Sequence, residues 1–139
     1  MEELGLSKTD KGKKSGDYAN YVIDENGFLK VTFNISFGDK ISMLDAQGYI
    51  SIVTQMTNGT PKPFLLNFLK FNNLISPKII SFLAKNDDLQ SLSTAKAFVV
   101  VSSVYRAILK QYIKIVSKKY PMKVFKTEEE AVVWLKSVS

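Results

Sequence analysis

At 139 residues, with 45% hydrophobic and 23% charged side chains, the chain has the length and composition of one globular domain. It has no Cys and no His, which excludes disulfides, thiolate nucleophiles, thiolate zinc sites and any Ser-His-Asp hydrolase. The net charge of +6 sits at one end: residues 1–16 carry +1, residues 17–95 carry −1 and residues 96–139 carry +6.

Residues 1–16 are rich in Lys (Lys8, Lys11, Lys13, Lys14) and poor in apolar side chains, so they read as a mobile tail ahead of one domain over residues 17–139. They lack the apolar core of a secretion signal, and no run approaches the roughly 18 apolar residues of a membrane span. A cytoplasmic location is the expectation. Tyr18–Ile23 and Phe28–Phe37 are β-rich runs flanking Asp24-Glu25-Asn26-Gly27, a hairpin signal because Asn and Gly both tolerate positive φ. The second run alternates, with Leu29, Val31, Phe33 and Ile35 on one face. Ser42 and Asp45 have capping-box spacing, Ala46 to Met56 follow helical periodicity, and Asn58-Gly59 supplies a stop.

Phe64 to Leu69 is almost wholly apolar, as a strand buried on both faces requires. Ser76-Pro77 opens a second helix that ends near Leu89 to Ser91, and Ala97–Val101 is another buried strand. Val104–Lys119 reads as an amphipathic helix with Tyr105, Ile108, Leu109, Tyr112, Ile113 and Val116 inward. A short strand at Lys123–Phe125 precedes a last helix capped by Thr127, with Glu128, Glu129 and Glu130 set against the positive end of its dipole. The order β-β-α-β-α-β-α-β-α predicts an α/β fold: a mixed, mostly parallel sheet with an N-terminal β-hairpin and four helices.

This order resembles the STAS domain, the fold of bacterial anti-sigma factor antagonists (SpoIIAA-like proteins). The ending Phe125-Lys126-Thr127-Glu128-Glu129-Glu130-Ala131-Val132-Val133-Trp134-Leu135 is similar to that of small STAS-like bacterial proteins. The resemblance implies a non-enzymatic protein-interaction module in bacterial signalling or regulation, with an unknown protein partner and no cofactor. In the antagonists an Asp-Ser-Ser-Gly motif at a helix start carries the phosphorylated serine. Here Ile75-Ser76-Pro77-Lys78 occupies that place, and Pro77 falls on the phosphoacceptor, which argues against a phospho-switch.

Two candidate sites follow. Ser76 is either a helix cap or, through the same free N–H groups, an anion or phosphorylation site. Arg106, Lys110, Lys114 and Lys118 recur every four residues and form either a solvated helix face or a basic docking face for an acidic protein, an anionic lipid or a nucleic-acid backbone. No aromatic rhythm accompanies them, so sequence-specific nucleic-acid reading is not expected. Asp87-Asp88 and Glu128–Glu130 mark helix ends rather than a metal site, and no phosphate-cradling glycine loop or catalytic constellation is present. An alternative function is a small-molecule or lipid carrier, with Tyr49 and Phe82 lining a cavity between helix and sheet. The first strand lacks an internal lysine to blunt its edge, which predicts a weak homodimer through the hairpin or its adjoining helix, with the basic helix turned away.

Overall fold

The computed structural model describes residues 18–35, 40–68, 76–116 and 120–138; the expected tail at 1–16 lies outside them. Strand β1 (Ala19–Ile23) turns back into β2 (Leu29–Phe33). Helix α1 (Met43–Thr57) then leads to β3 (Lys62–Phe68). Helices α2 (Pro77–Ala84) and α3 (Asp87–Gln90) precede β4 (Ser93–Val100). Helix α4 (Ser103–Val116), strand β5 (Met122–Phe125) and helix α5 (Glu128–Val138) complete the order. The expected second helix is thus two pieces. Asn86 interrupts it and caps the new turn by accepting from the Leu89 N–H.

The hairpin forms as expected, but by a different turn. Asp24 N donates to Phe28 O and Gly27 N to Asp24 O, and only Gly27 takes a positive φ, of 80°. This is a type I turn with a left-handed glycine bulge rather than a two-residue Asn-Gly turn. Asp24 Oδ1 accepts from the N–H groups of Asn26 and Phe28 and fixes the loop. At α1 both capping-box bonds are present, and Asn58 and Gly59 end the helix in the left-handed region.

The sheet runs in sequence order, β1-β2-β3-β4-β5, with β1 antiparallel to β2 and every later pair parallel. Consecutive right-handed crossovers between adjacent strands put their helices on one face. That face is the main core: Leu29, Val31, Phe64, Leu66, Phe68, Phe98 and Val100 meet Tyr49 and Val53 of α1, Leu89 of α3, and Tyr105, Leu109 and Ile113 of α4. Phe33 stacks on Phe68 with ring centroids 4.5 Å apart. Among the described residues the opposite face is covered by α5 alone, through Ala131 and Leu135 against Leu65, Ala95, Ala97 and Val99. Alanines at 95 and 97 leave room for that helix to lie on β4. As the apolar runs predict, β3 from Phe64 to Phe68 and β4 from Ala95 to Val100 are buried, but Val101, expected to close the second buried strand, lies past its end and is exposed.

Among the described residues no helix is long and apolar enough to cross a membrane. Leu66 lies in the central strand with 4% of its surface exposed. Replacing it with Asp buries an unpaired carboxylate at a cost of several kcal/mol, roughly the whole stability of a small domain. Loss of the cooperative thermal transition in far-ultraviolet circular dichroism is the expected outcome, and a folded Leu66→Asp protein contradicts this placement of β3.

Candidate functional site

Ser76 stands where the sequence placed it, at the N-terminus of α2. Its Oγ accepts from the Lys78 N–H at 3.1 Å, and its carbonyl accepts from Ile79 and Ile80. Pro77 occupies the first helical position and has no N–H to offer. The hydroxyl is therefore engaged in capping, and the geometry is that of a helix start.

The basic row on α4 is less regular than its four-residue spacing suggests. Arg106 turns back to the end of β4, where its Nη1 donates to the carbonyls of Val100 and Val101 at 2.7 and 2.6 Å. These carbonyls lie beyond the last ladder bonds, and the guanidinium satisfies them. Lys110 and Lys114 are exposed, and Lys118 lies outside the described residues. Ile108, expected to point inward, is 45% exposed, next to Val101 and Val104 at 63% and 66%. Helix α4 is the last of its row and sits over the sheet edge, so only a narrow stripe formed by Tyr105, Leu109, Tyr112 and Ile113 reaches inward.

Between α4 and β5 runs an open groove of about 420 Å³. Its floor is apolar, from Ala107, Ile113, Met122 and Val124, and its rim carries Lys110 and Lys114. Lys123 also lines the groove, but its side chain runs along β5 and its Nζ lies 5.6 Å from the centroid of the Phe125 ring, on the face that packs against α5. A second open depression, of about 720 Å³, lies between the hairpin turn and α5, where Asp24, Glu25, Glu128 and Glu129 face Lys30 and Lys136. Among the described residues no group of acidic side chains is arranged to hold a metal ion.

Two further polar sites, one half-buried and one buried, were not legible in the sequence. The Glu128 carboxylate takes a 2.9 Å bond from Lys30 Nζ on one oxygen and a 2.9 Å bond from Asn67 Nδ2 on the other. It ties the start of α5 to β2 and β3 while also facing the helix dipole. Lys96 is buried on the main-core face, with Nζ 5.7 Å from the ring centroids of both Phe64 and Tyr120. Burial pushes its ammonium down to about 8 from an ordinary 10.5. Burial likewise pushes the Tyr120 phenol up to about 12. The Tyr120 hydroxyl donates to Gln90 Oε1, joining the segment before β5 to α3.

The residues expected to line a carrier cavity lie on α1 and α2. Tyr49 is packed between Tyr21 and Phe33, at ring distances of 6.2 and 6.0 Å, and Phe82 is half-buried on α2.

Comparison with known proteins bears on family, not on activity. A family model described as a domain of unknown function, DUF7793, matches residues 22–139. The chain belongs to the DUF7793 family. The match spans every described strand and helix from the end of β1 onward. The DUF7793 chain is also similar to a solved protein of unknown function from Arthrobacter sp. FB24, at 19% identity and a TM-score of 0.28, over 84% of this chain and 98% of that one. No functionally curated protein matches.

Two outcomes follow. Ser76→Ala should lower stability by about 1 kcal/mol, the usual worth of a serine cap, and the intact mass of the protein from cells should carry no phosphate at this position. Phosphoserine at Ser76 would reverse that reading. The Lys96 effect has a definite sign. The unfolded chain holds this proton to about pH 10.5 and the folded protein releases it from about pH 8. The unfolded state therefore binds more protons across that window, and stability rises with pH there. Above about pH 10 the buried tyrosines act oppositely, because Tyr21, Tyr112 and Tyr120 are held up to about 12 and ionise more readily when unfolded. Urea midpoints should climb between pH 8 and 10 and then fall. Lys96→Met should remove the climb and add on the order of 1–3 kcal/mol at pH 7; a wild-type profile flat from pH 8 to 10 rejects this account.

Proposed function

We propose that this DUF7793 chain is a non-enzymatic protein-interaction module of the STAS-like kind, acting in signalling or regulation, and that it docks its partner on the α4–β5 side. The observation that carries the reading is the groove lined by apolar side chains with Lys110 and Lys114 on the α4 side and Lys123 on the adjoining strand. Apolar area supplies association free energy, while the charges select the partner and speed encounter. The element order supports the STAS-like assignment. A hairpin feeds a run of parallel strands in sequence order, and helices return on one side. The departure at Ile75-Ser76-Pro77-Lys78 separates this chain from the phosphorylated antagonists. Its Ser76 Oγ caps α2 by accepting from the Lys78 N–H, and Pro77 stands in the phosphoacceptor's place, which supports regulation by docking rather than by serine phosphorylation.

The test is site-specific crosslinking in cells that naturally make the protein. A photo-reactive amino acid at position 110 should give a discrete adduct with another protein, lost when Lys114 and Lys123 are both changed to Glu. The same probe at Gln55, exposed on α1, should give none. Absence of an adduct at 110, or an equal one at 55, overturns the assignment.

A further inference from the structure

The geometry points to a specific way of docking: an acidic, extended segment of a partner protein adds to the open edge of β5 as a sixth strand, lying in the groove beneath α4. The inference rests on the docking-module reading and names the partner's chemistry. β5 is an edge strand, hydrogen-bonded only to β4 among the described residues. Lys96 N donates to Pro121 O at 2.9 Å. In a parallel ladder residues alternate in the direction of their N–H and C=O groups, so Lys123 and Phe125 address β4, while the N–H and C=O groups of Met122 and Val124 turn to the open side. An incoming strand meets two donors and two acceptors along this short edge, and such main-chain bonds supply affinity without regard to side chains.

Side chains then set the selection. Alternate residues of an added strand face the α4 side, over Ala107 and Ile113 and beside Lys110 and Lys114; the others pass along Lys123. The floor accepts apolar side chains and the rim accepts carboxylates. Lysine on a four-residue edge also discourages pairing with a second copy of the chain, since two such edges bring like charges together. The charge that repels self therefore favours an acidic strand, in keeping with the net +6 of residues 96–139. A groove recessed between helix and strand fits an extended peptide better than a flat bilayer.

The probe is a short synthetic peptide alternating Val and Glu, tested with isotopically labelled full-length protein. Binding by fluorescence anisotropy is expected, together with slowed amide exchange at Met122 and Val124. Lys110→Glu with Lys123→Glu, both at exposed positions, should weaken binding by about tenfold or more. A peptide of the same sequence with alternate amides N-methylated, which blocks strand pairing and keeps the charge, should not bind. Equal binding of the methylated peptide, or binding without protection at Met122 and Val124, overturns strand addition. So does preference for duplex DNA or for phosphatidylserine vesicles over the peptide. A protein adduct at position 110 in cells, with no edge protection by peptide, refutes the added strand and leaves the module reading intact. Loss of both refutes the two together.

Discussion

The organisation of this domain follows from one topological constraint. Neighbouring parallel strands joined by crossovers of one hand must send their helices to the same side of the sheet, and here α1, α2, α3 and α4 all pack there. The two central strands, apolar on both faces, are then left with an uncovered side. The last helix closes it: α5 crosses beneath the sheet and lays Ala131 and Leu135 on Leu65, Ala97 and Val99. The Glu128 carboxylate, bonded to Lys30 and Asn67, fixes where that helix starts. Without this closure β3 and β4 would expose a full apolar face to water.

The same constraint shapes the functional surface. With α5 beneath the sheet and α4 the last helix above it, β5 has a helix on either side and no strand beyond it among the described residues. The groove is the space that a further strand would fill. Its basic rim comes from the same last third of the chain that holds the excess charge, so the sequence asymmetry and the sheet edge coincide.

What could be read from residues alone was local. The capping box at Ser42 and Asp45, the Asn58-Gly59 stop and the Ser76-Pro77 start each depend on a few adjacent side chains, and each forms as expected. The buried runs at Phe64 and Ala97 were equally plain, since only a strand covered twice tolerates such composition. The misses depend on distant partners. Nothing near Lys96 announces that two rings will enclose it, and Arg106 reads as one of a repeating set until the β4 carbonyls capture it. Helical spacing puts Ile108 on an inward arc, but how wide that arc is depends on what lies beside the helix. Glu128 looked like a dipole partner because its bonds reach residues 98 and 61 positions away.

The reach of α5 also divides the sheet into unequal parts. It contacts β3, β4 and β5, whereas Asn20 and Val22 on the same face of β1 remain exposed. Among the described residues β1 is thus held by apolar packing on one side only, whereas Phe28 at the base of β2 is buried on the α5 side. Lifting β1 away breaks a single antiparallel ladder and uncovers few buried side chains; parting β3 from β4 dismantles both cores at once. Local opening therefore has a low-energy route at the hairpin and a high-energy one at the centre. The free energy that separates these two routes makes the centre a rigid frame, within which the β5 edge stays fixed while the opposite margin breathes.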